Sequence, residues 1–352
     1  MTGPGPLARV RRLVEAAGKL ADPGHPLGQR ARARLGASTG LSPAGVEWGL
    51  TRCLEANPSD AEFAALCQSV PRVERAYVLL SANVFVAAHR AIALALAASS
   101  SVEVRASRRE REMAALLAEA SGGLFRLVDE LLPSPGDHLW AYGSDSTLDA
   151  LRSHLPAGVV LHPHGPGLGI AVLAAPSDLG QAARALAGDV VVFDQRGCLS
   201  PRVAFFEGDA ELGARFAALL AEALTVLEEE VPRGEITREE AADQVRLRDT
   251  WCYAGDLWPA GKGWVTFDGR PERPFIPPVG RNVHVIVTPE IAPLLRSIAP
   301  LIVGVGVAGP DRLSAQMETL LPHARISALG KMQCPRFDGP VDRRPDPAGE
   351  LL

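Results

Sequence analysis

The residues best placed to do chemistry lie in VVFDQRGCLSPRVAFFEG, Val191 to Gly208. An apolar run stops at Asp-Gln-Arg-Gly, presents Cys198, and restarts. A structural core cysteine needs neither a polar lead-in nor a glycine beside it. A nucleophile needs exposure and close backbone approach, and Gly197 allows that approach. The stretch therefore reads as a turn carrying a nucleophilic cysteine, whose own and neighbouring N–H groups face a bound oxygen. An unperturbed thiol has a pKa of about 8.5, so little thiolate exists at pH 7 without nearby positive charge. Arg196 and Arg202 are the local cations. The alternative is a core cysteine between two strands.

Four further places invite the same question. Asn83 ends the apolar run AYVLLS, where ligands bind in open parallel sheets. Its amide suits a developing oxyanion, or it caps the helix that follows. VRASRRE puts Arg105, Ser107 and Arg108 after another strand-like run, which suits a nucleotide phosphate or makes a solvated basic turn. In YGSDSTLDAL, Gly143 and Ser144 stand between strand and helix. That place suits a phosphate on a helix N-terminus, with Asp145 opposing it, or a simple cap. In HPHGPGLG, His162 and His164 are candidates for moving a proton, or are histidines bonded to backbone. No GxGxxG occurs.

These residues need a scaffold, and the hydrophobic periodicity predicts one. The first seventy residues read as helices, with Arg9–Leu20 and Pro43–Glu55 amphipathic and Pro58-Ser59-Asp60 a helix start. Strands AYVLLS, SVEVRAS and HLWAYG then alternate with helices, the mark of a parallel α/β sheet. HPHGPGLG reads as a hinge near Gly165. After it the alternation restarts: strand GIAVLAA, helix Asp178–Leu186, strand VVVF, the cysteine turn, strand RVAFFE and a long helix to about Glu230. Leu247–Pro278 reads as irregular and aromatic, either an acyl tunnel or ordinary core. NVHVIVT, PLIVGVGV and ARISALG are late strands. The expected organisation is a helical region 1–70, a dinucleotide-binding domain 71–165, a cysteine-bearing catalytic domain 166–340 and a loose tail 341–352.

The whole chain has 352 residues, 47% of them hydrophobic, and a net charge of -5. The size allows a large core, and the charge argues against nucleic acid as a partner. No run is long enough to span a bilayer, and MTGPGPLARVRRLVEAAGKL lacks the apolar core of a signal peptide. The five cysteines have no CxxC spacing, so no metal site is expected and the cytoplasm is the expected setting.

Together and in this order, these sites resemble the aldehyde dehydrogenase superfamily, and more closely its LuxC-type fatty-acyl reductases. LLSANVFVAAHRAIALALAASSSVEVRAS is similar to the segment that carries the family's oxyanion-hole Asn and the turn holding the adenosine ribose. AYGSDSTLDAL matches the Gly-Ser facing the cofactor pyrophosphate, and FDQRGCLSPRVAFFEG matches the acyl-accepting cysteine stretch. RISALGKMQCPRFDGPVD resembles the end of the reductase domain. The resemblance runs from about residue 70 to 342. It implies an α/β aldehyde-dehydrogenase-like fold, a Rossmann-type cofactor domain joined to an α/β catalytic domain. It also implies Cys198 as nucleophile, Asn83 as oxyanion donor, and Arg105, Ser107, Arg108, Gly143 and Ser144 around the cofactor.

Three departures refine this. Oxidative aldehyde dehydrogenases carry a Glu in the hinge as the base for hydrolysis, whereas LHPHGPGLG has none. Hydrolysis of an acyl-enzyme needs activated water, and thiol exchange does not, so thioester reduction is expected rather than aldehyde oxidation. His164 is then the candidate for the leaving thiol's proton. Arg108 stands where NAD-preferring relatives often carry Glu, which favours NADPH, with NADH second. The chain is also shorter than typical members. The expected substrate is an acyl-CoA or acyl-carrier-protein thioester, the expected partners an acyl-protein synthetase and further copies of the chain. The competing class is a reductase fold kept for binding a nucleotide or partner without chemistry.

Overall fold

The computed structural model describes residues 4–174, 178–271 and 273–345. The chain divides between Pro166 and Gly167 into two compact units. Residues 336–340 return to the first, and Val341–Arg344 belong to the second.

In the first unit the helices α1 (Pro6–Ala21), α2 (Pro26–Thr39), α3 (Pro43–Trp48) and α4 (Asp60–Gln68) come first. α1 starts with proline at its first turn and buries Val10, Leu13, Val14, Ala17 and Leu20, one apolar stripe. α4 starts at a capping box between Ser59 and Glu62. A wide helical turn, Gly49–Cys53, follows α3. Then β1 (Arg75–Leu79), α5 (Ala87–Ala98), β2 (Ser101–Arg105), α6 (Glu112–Ala120), β3 (Arg126–Leu127), β4 (His138–Tyr142), α7 (Asp145–His154) and β5 (Val160–His164) follow. The strands form one parallel sheet in the order β3-β2-β1-β4-β5. α5 packs on α1 and the sheet and is buried on every face, which explains its run of Ala, Ile and Leu. The N-terminal helices, expected as a region of their own, share this unit.

The second unit contains β6 (Leu168–Ala174), α8 (Leu179–Val191), β7 (Pro201–Glu207), α9 (Ala210–Glu230), α10 (Arg238–Ala254), β8 (Asp256–Ala260), β9 (Gly263–Asp268), β10 (Val283–Thr288), α11 (Ile291–Ile298), β11 (Ile302–Ala308), α12 (Asp311–Leu320) and β12 (Arg325–Ala328). Its sheet runs β12-β11-β6-β7-β10-β9-β8 and is parallel except for the β8–β9 hairpin. The central strands β6 and β10 are buried throughout, as expected of strands covered on both faces. Val172, Val203, Phe205, Ile286 and Val305 pack with Leu295 of α11 and Met317 of α12 in one core.

Three expectations are corrected. VVVF is no strand: its valines extend the α8 stripe of Ala183, Leu186, Ala187, Val190 and Val191, and the chain then turns left-handed at Phe193. HPHGPGLG is not all hinge, because His162 and His164 lie in β5. β5 is an edge strand, where Pro163 does not interrupt a ladder it would need to donate to. Leu247–Pro278 is irregular only beyond Asp268: before that it holds the end of α10 and the β8–β9 hairpin, whose turn is Gly261-Lys262. The tail expected from 341 is described only to residue 345, and residues 346–352 lie outside the described residues. Among the described residues no helix is long and apolar enough to cross a membrane.

Candidate active site

Cys198 is exposed. It is the second residue of a turn closed by the Ser200 N–H on the Gly197 carbonyl at 3.0 Å. The three residues that lead into this turn are unusual. Phe193, Asp194 and Gln195 have φ of 54, 51 and 65°, left-handed backbone on three successive residues that are not glycine. Such backbone costs roughly 1–2 kcal/mol per residue and persists only where the surroundings impose it.

The surroundings that impose it come from just before β10. Arg281 donates from Nε and Nη2 to Asp194 Oδ1 at 3.1 and 2.8 Å. The other Asp194 oxygen accepts the Gly234 N–H at 3.0 Å. The Gln195 amide donates to the carbonyls of Pro201 and Asn282 at 2.7 and 2.6 Å and accepts the Asn282 N–H at 2.9 Å. Every polar atom of the Asp194 and Gln195 side chains is thus engaged, as burial demands.

Glycines in and just before β6, and in β11, supply the close approach that the cysteine turn needs. A Cβ on Gly169 would stand 2.4 Å from the Leu199 oxygen. One on Gly167 would meet Val303 at 2.5 Å and the Cys198 Cβ at 3.2 Å, and one on Gly304 would meet Leu199 Cδ2 at 2.7 Å. From the other side, the Gln333 amide donates to Ser200 Oγ at 3.3 Å. Residues 330–332 are tied to Asp189 of α8, whose carboxylate accepts the N–H groups of Gly330 and Met332 at 2.6 and 3.0 Å. Burial pushes the Asp189 carboxyl up to about 7 against those donors.

The thiol is accessible yet closely surrounded, and crowding by protein atoms pushes it up to about 11. The exposed surface decides reagent access, and the crowding decides protonation. Asp342 raises the thiol further; Arg344 and the N–H groups of Cys198 and Leu199 favour the thiolate. The two expected cations do not serve it. Arg196 pairs with Glu240 at 3.1 Å, and Arg202 donates to the Pro277 carbonyl. The effective charges lie at 342–344, which spacing from the cysteine could not reveal. Arg344 is itself paired with Asp342 at 2.6 Å and bonded to the Pro300 carbonyl.

In the first unit, the remaining candidates gather at the carboxyl ends of the parallel strands. Asn83 follows β1 and is exposed. It does not cap α5, whose cap position is Val86 and has no side-chain bond. Arg105 ends β2, and Ser107 Oγ accepts the Arg109 N–H at 3.2 Å, with Arg108 exposed beside it. Gly143 follows β4 and gives its N–H to the His164 carbonyl at 3.2 Å. Ser144 caps α7, accepting the Thr147 N–H at 3.3 Å. The order 3-2-1-4-5 reverses between β1 and β4, where open parallel sheets bind ligands.

The two histidines differ. His162 is buried, stacked on Trp140 at 4.3 Å and bonded to His138 at 2.8 Å. Burial first, then His138 and His164, lower it to about 3, so it is neutral at pH 7. His164 ends β5, buried against Tyr142 at 4.5 Å. The aromatic stretch is divided: Trp251 and Phe275 pack on His284, Trp258 meets Phe267 edge-on, and Tyr253 is 94% exposed. Among the described residues no group of His, Cys, Asp and Glu could hold a metal ion.

The family model described as acyl-CoA reductase (LuxC) matches residues 126–342, more than half of the chain and the whole cysteine turn. The chain belongs to this family. It is similar to a long-chain acyl-protein thioester reductase of Vibrio harveyi, 27% identical over 161 residues, 45% of this chain and 33% of the relative. A second such reductase, of Photobacterium leiognathi, is 27% identical over 115 residues, 33% of this chain and 24% of the relative. The matches therefore span a third or less of these relatives' own length. Among solved structures it is similar to an NAD-dependent benzaldehyde dehydrogenase of Corynebacterium glutamicum, with a TM-score of 0.67 and 15% identity over 94% of this chain and 83% of that one. An NADP-dependent glyceraldehyde-3-phosphate dehydrogenase of Bacillus halodurans complexed with NADP gives 0.65 and 15%, over 91% and 78%. This LuxC-family chain thus has the aldehyde-dehydrogenase-like fold expected from its sequence.

Proposed function

We propose that this protein reduces a fatty-acyl thioester, of CoA or an acyl-carrier protein, to the aldehyde through an acyl-enzyme on Cys198. The observation that carries the reading is an exposed cysteine, on a turn that strained backbone leads into, inside the region matched by an acyl-CoA reductase family. The exposed thiol gives its proton to solvent, and the thiolate attacks the acyl carbonyl. The N–H of Cys198, one of the two backbone groups that favour the thiolate, is assigned to the oxyanion that forms once sulfur bonds to carbon. The Asn83 amide is assigned as the second donor, which the family resemblance and its exposure support. Losing one such donor typically costs about 10²–10³ in rate. The oxyanion collapses, the C–S bond to the carrier breaks, and the leaving thiolate takes a proton, assigned to His164 at the carboxyl end of β5.

The donor set at the carboxyl ends of β2 and β4 fits a dinucleotide. Arg105, Ser107 and Arg108 suit the adenosine ribose and a 2′-phosphate, and the N–H groups beginning α7 beside Gly143 and Ser144 suit a pyrophosphate. NADPH bound there would supply the hydride that, with a proton from solvent, converts the acyl-enzyme to a thiohemiacetal, with NADH the second choice. The thiohemiacetal then releases aldehyde and returns the Cys198 thiol. An acyl-protein synthetase as acyl donor, self-association and a cytoplasmic setting belong to the same proposal.

The second reading, a reductase fold kept for binding alone, draws on the engagement of the two nearby cations elsewhere, Arg196 with Glu240 and Arg202 with the Pro277 carbonyl. NADPH oxidation across a series of acyl-CoAs and acyl-carrier proteins separates the two. Turnover that Cys198→Ala abolishes supports the reductase; absence of turnover with every donor supports the binding role.

A further inference from the structure

Arg281 lies 87 positions from Asp194 in sequence, and both side chains are 2% exposed. Its guanidinium is fully committed inside the protein. Nε and Nη2 hold Asp194, and Nη1 donates to Glu228 at 2.9 Å and to the Val231 carbonyl at 2.6 Å. Arg281 has φ of 71° itself, and the next residue, Asn282, exchanges backbone bonds with the Gln195 amide. The segment before β10 is therefore a template against which Asp194 and Gln195 are fitted. Its far side is equally fixed: Asn282 donates to the Pro278 carbonyl and accepts the Trp264 N–H, both at 3.0 Å.

A buried ion pair is a poor device for stability alone, because apolar side chains of the same volume do as well or better. What this pair supplies is geometry. The fork of one guanidinium specifies where Asp194 sits, and an ammonium does not reproduce it. The residue it grips is in the middle of the three left-handed residues, and Gly197 begins the nucleophile's turn two residues beyond Gln195.

We propose that Arg281 is a positioning residue for Cys198: by gripping Asp194 it keeps Phe193–Gln195 left-handed and fixes where the Gly197–Ser200 turn presents its sulfur. The inference rests on the reading of Cys198 as the nucleophile. It adds that the reactivity of this cysteine is set from the start of β10.

The test uses the full chain with Arg281→Lys and Arg281→Met, and reads the alkylation of Cys198 by iodoacetamide by mass spectrometry. Cys252, also exposed, serves as the reference in the same sample. Arg281→Lys keeps the charge, so it remains the deciding variant if Arg281→Met does not fold. The expected result is a folded Arg281→Lys protein whose Cys198-to-Cys252 labelling ratio falls about tenfold. With an acyl-CoA substrate, kcat falls while KM holds. A folded variant that melts earlier but labels Cys198 at the wild-type ratio overturns the proposal, because a merely structural role moves melting and not the ratio. A wild-type protein that takes no acyl group from any thioester, yet whose ratio falls in the variant, would end the reductase reading and leave the positioning role standing.

Discussion

Arg281 Nη2 stands 2.8 Å from Asp194 Oδ1 in an environment closed to water. That contact holds a backbone conformation which the sequence on its own disfavours, four residues before the cysteine. Strain of this kind needs over-determination, and here three side chains and the Asn282 backbone provide it. The consequences can be measured one residue at a time.

Gln195→Met keeps the shape of the side chain and deletes its three bonds. It takes the side-chain partner from two carbonyls and one N–H in a buried site, at about 1–3 kcal/mol for each group left unsatisfied. Urea denaturation should show a loss of about 2–4 kcal/mol, with slower Cys198 alkylation in the protein that remains folded.

Gly169→Ala and Gly304→Ala make a graded pair. The first places a methyl 2.4 Å from backbone, the Leu199 oxygen; the second places one 2.7 Å from the end of the Leu199 side chain. Backbone cannot yield as a side-chain terminus can. Thermal melting should fall further in Gly169→Ala, and acyl transfer should fall with it. Gly304→Ala should stay within a few degrees of wild type.

The thiol's reactivity should follow pH steeply. With the group pushed up to about 11, alkylation of Cys198 should rise about tenfold per pH unit from 7 toward 10, because only the thiolate reacts. Asp342 raises the thiol and Arg344 lowers it. Asp342→Asn should therefore speed alkylation at pH 8, and Arg344→Gln should slow it. Measured rate–pH curves give both signs.

Acid should weaken the fold through its buried histidines. Burial lowers His284 from 6.5 to about 3, so between these values the unfolded chain takes up a proton that the folded one refuses. Stability from this group is complete above pH 6.5 and declines as pH falls, by about 1.4 kcal/mol per unit. His162 contributes in the same direction, and Asp189, raised to about 7, in the opposite one. Urea midpoints between pH 7 and 5 should show a weaker acid dependence in His284→Phe than in wild type. That variant also forfeits the 2.8 Å hydrogen bond between Thr266 and His284, so its midpoint at pH 7 should be lower.

Much of the scaffold was legible because parallel strands buried on both faces read as continuous apolar runs, as in β1, β4, β6, β7, β10 and β11, whereas β2, SVEVR, alternates. The cysteine turn was legible for a related reason: Asp194, Gln195 and Arg196 interrupt apolar sequence where no cap or hairpin calls for them. The errors are equally physical. Val190–Phe193 has strand-forming residues, yet helix α8 needed the valines on its buried stripe. His162-Pro163-His164 looked like a hinge because proline is foreign to central strands, and β5 is an edge. The β8–β9 hairpin had a two-residue signal in Gly261-Lys262, and α10 a capping box at Thr237 and Glu240; both could have been read. The grip of Arg281 on Asp194 could not, since nothing local links residues so far apart in the chain.

The central claim is a covalent acyl group on Cys198. Intact-protein mass spectrometry after incubation with a long-chain acyl-CoA, followed by peptide mapping and addition of NADPH, tests it directly. The account predicts one acyl adduct, on the peptide carrying Cys198, absent in Cys198→Ala and discharged as aldehyde when NADPH is added. An adduct on another residue, or aldehyde formed by the Cys198→Ala protein, would contradict it.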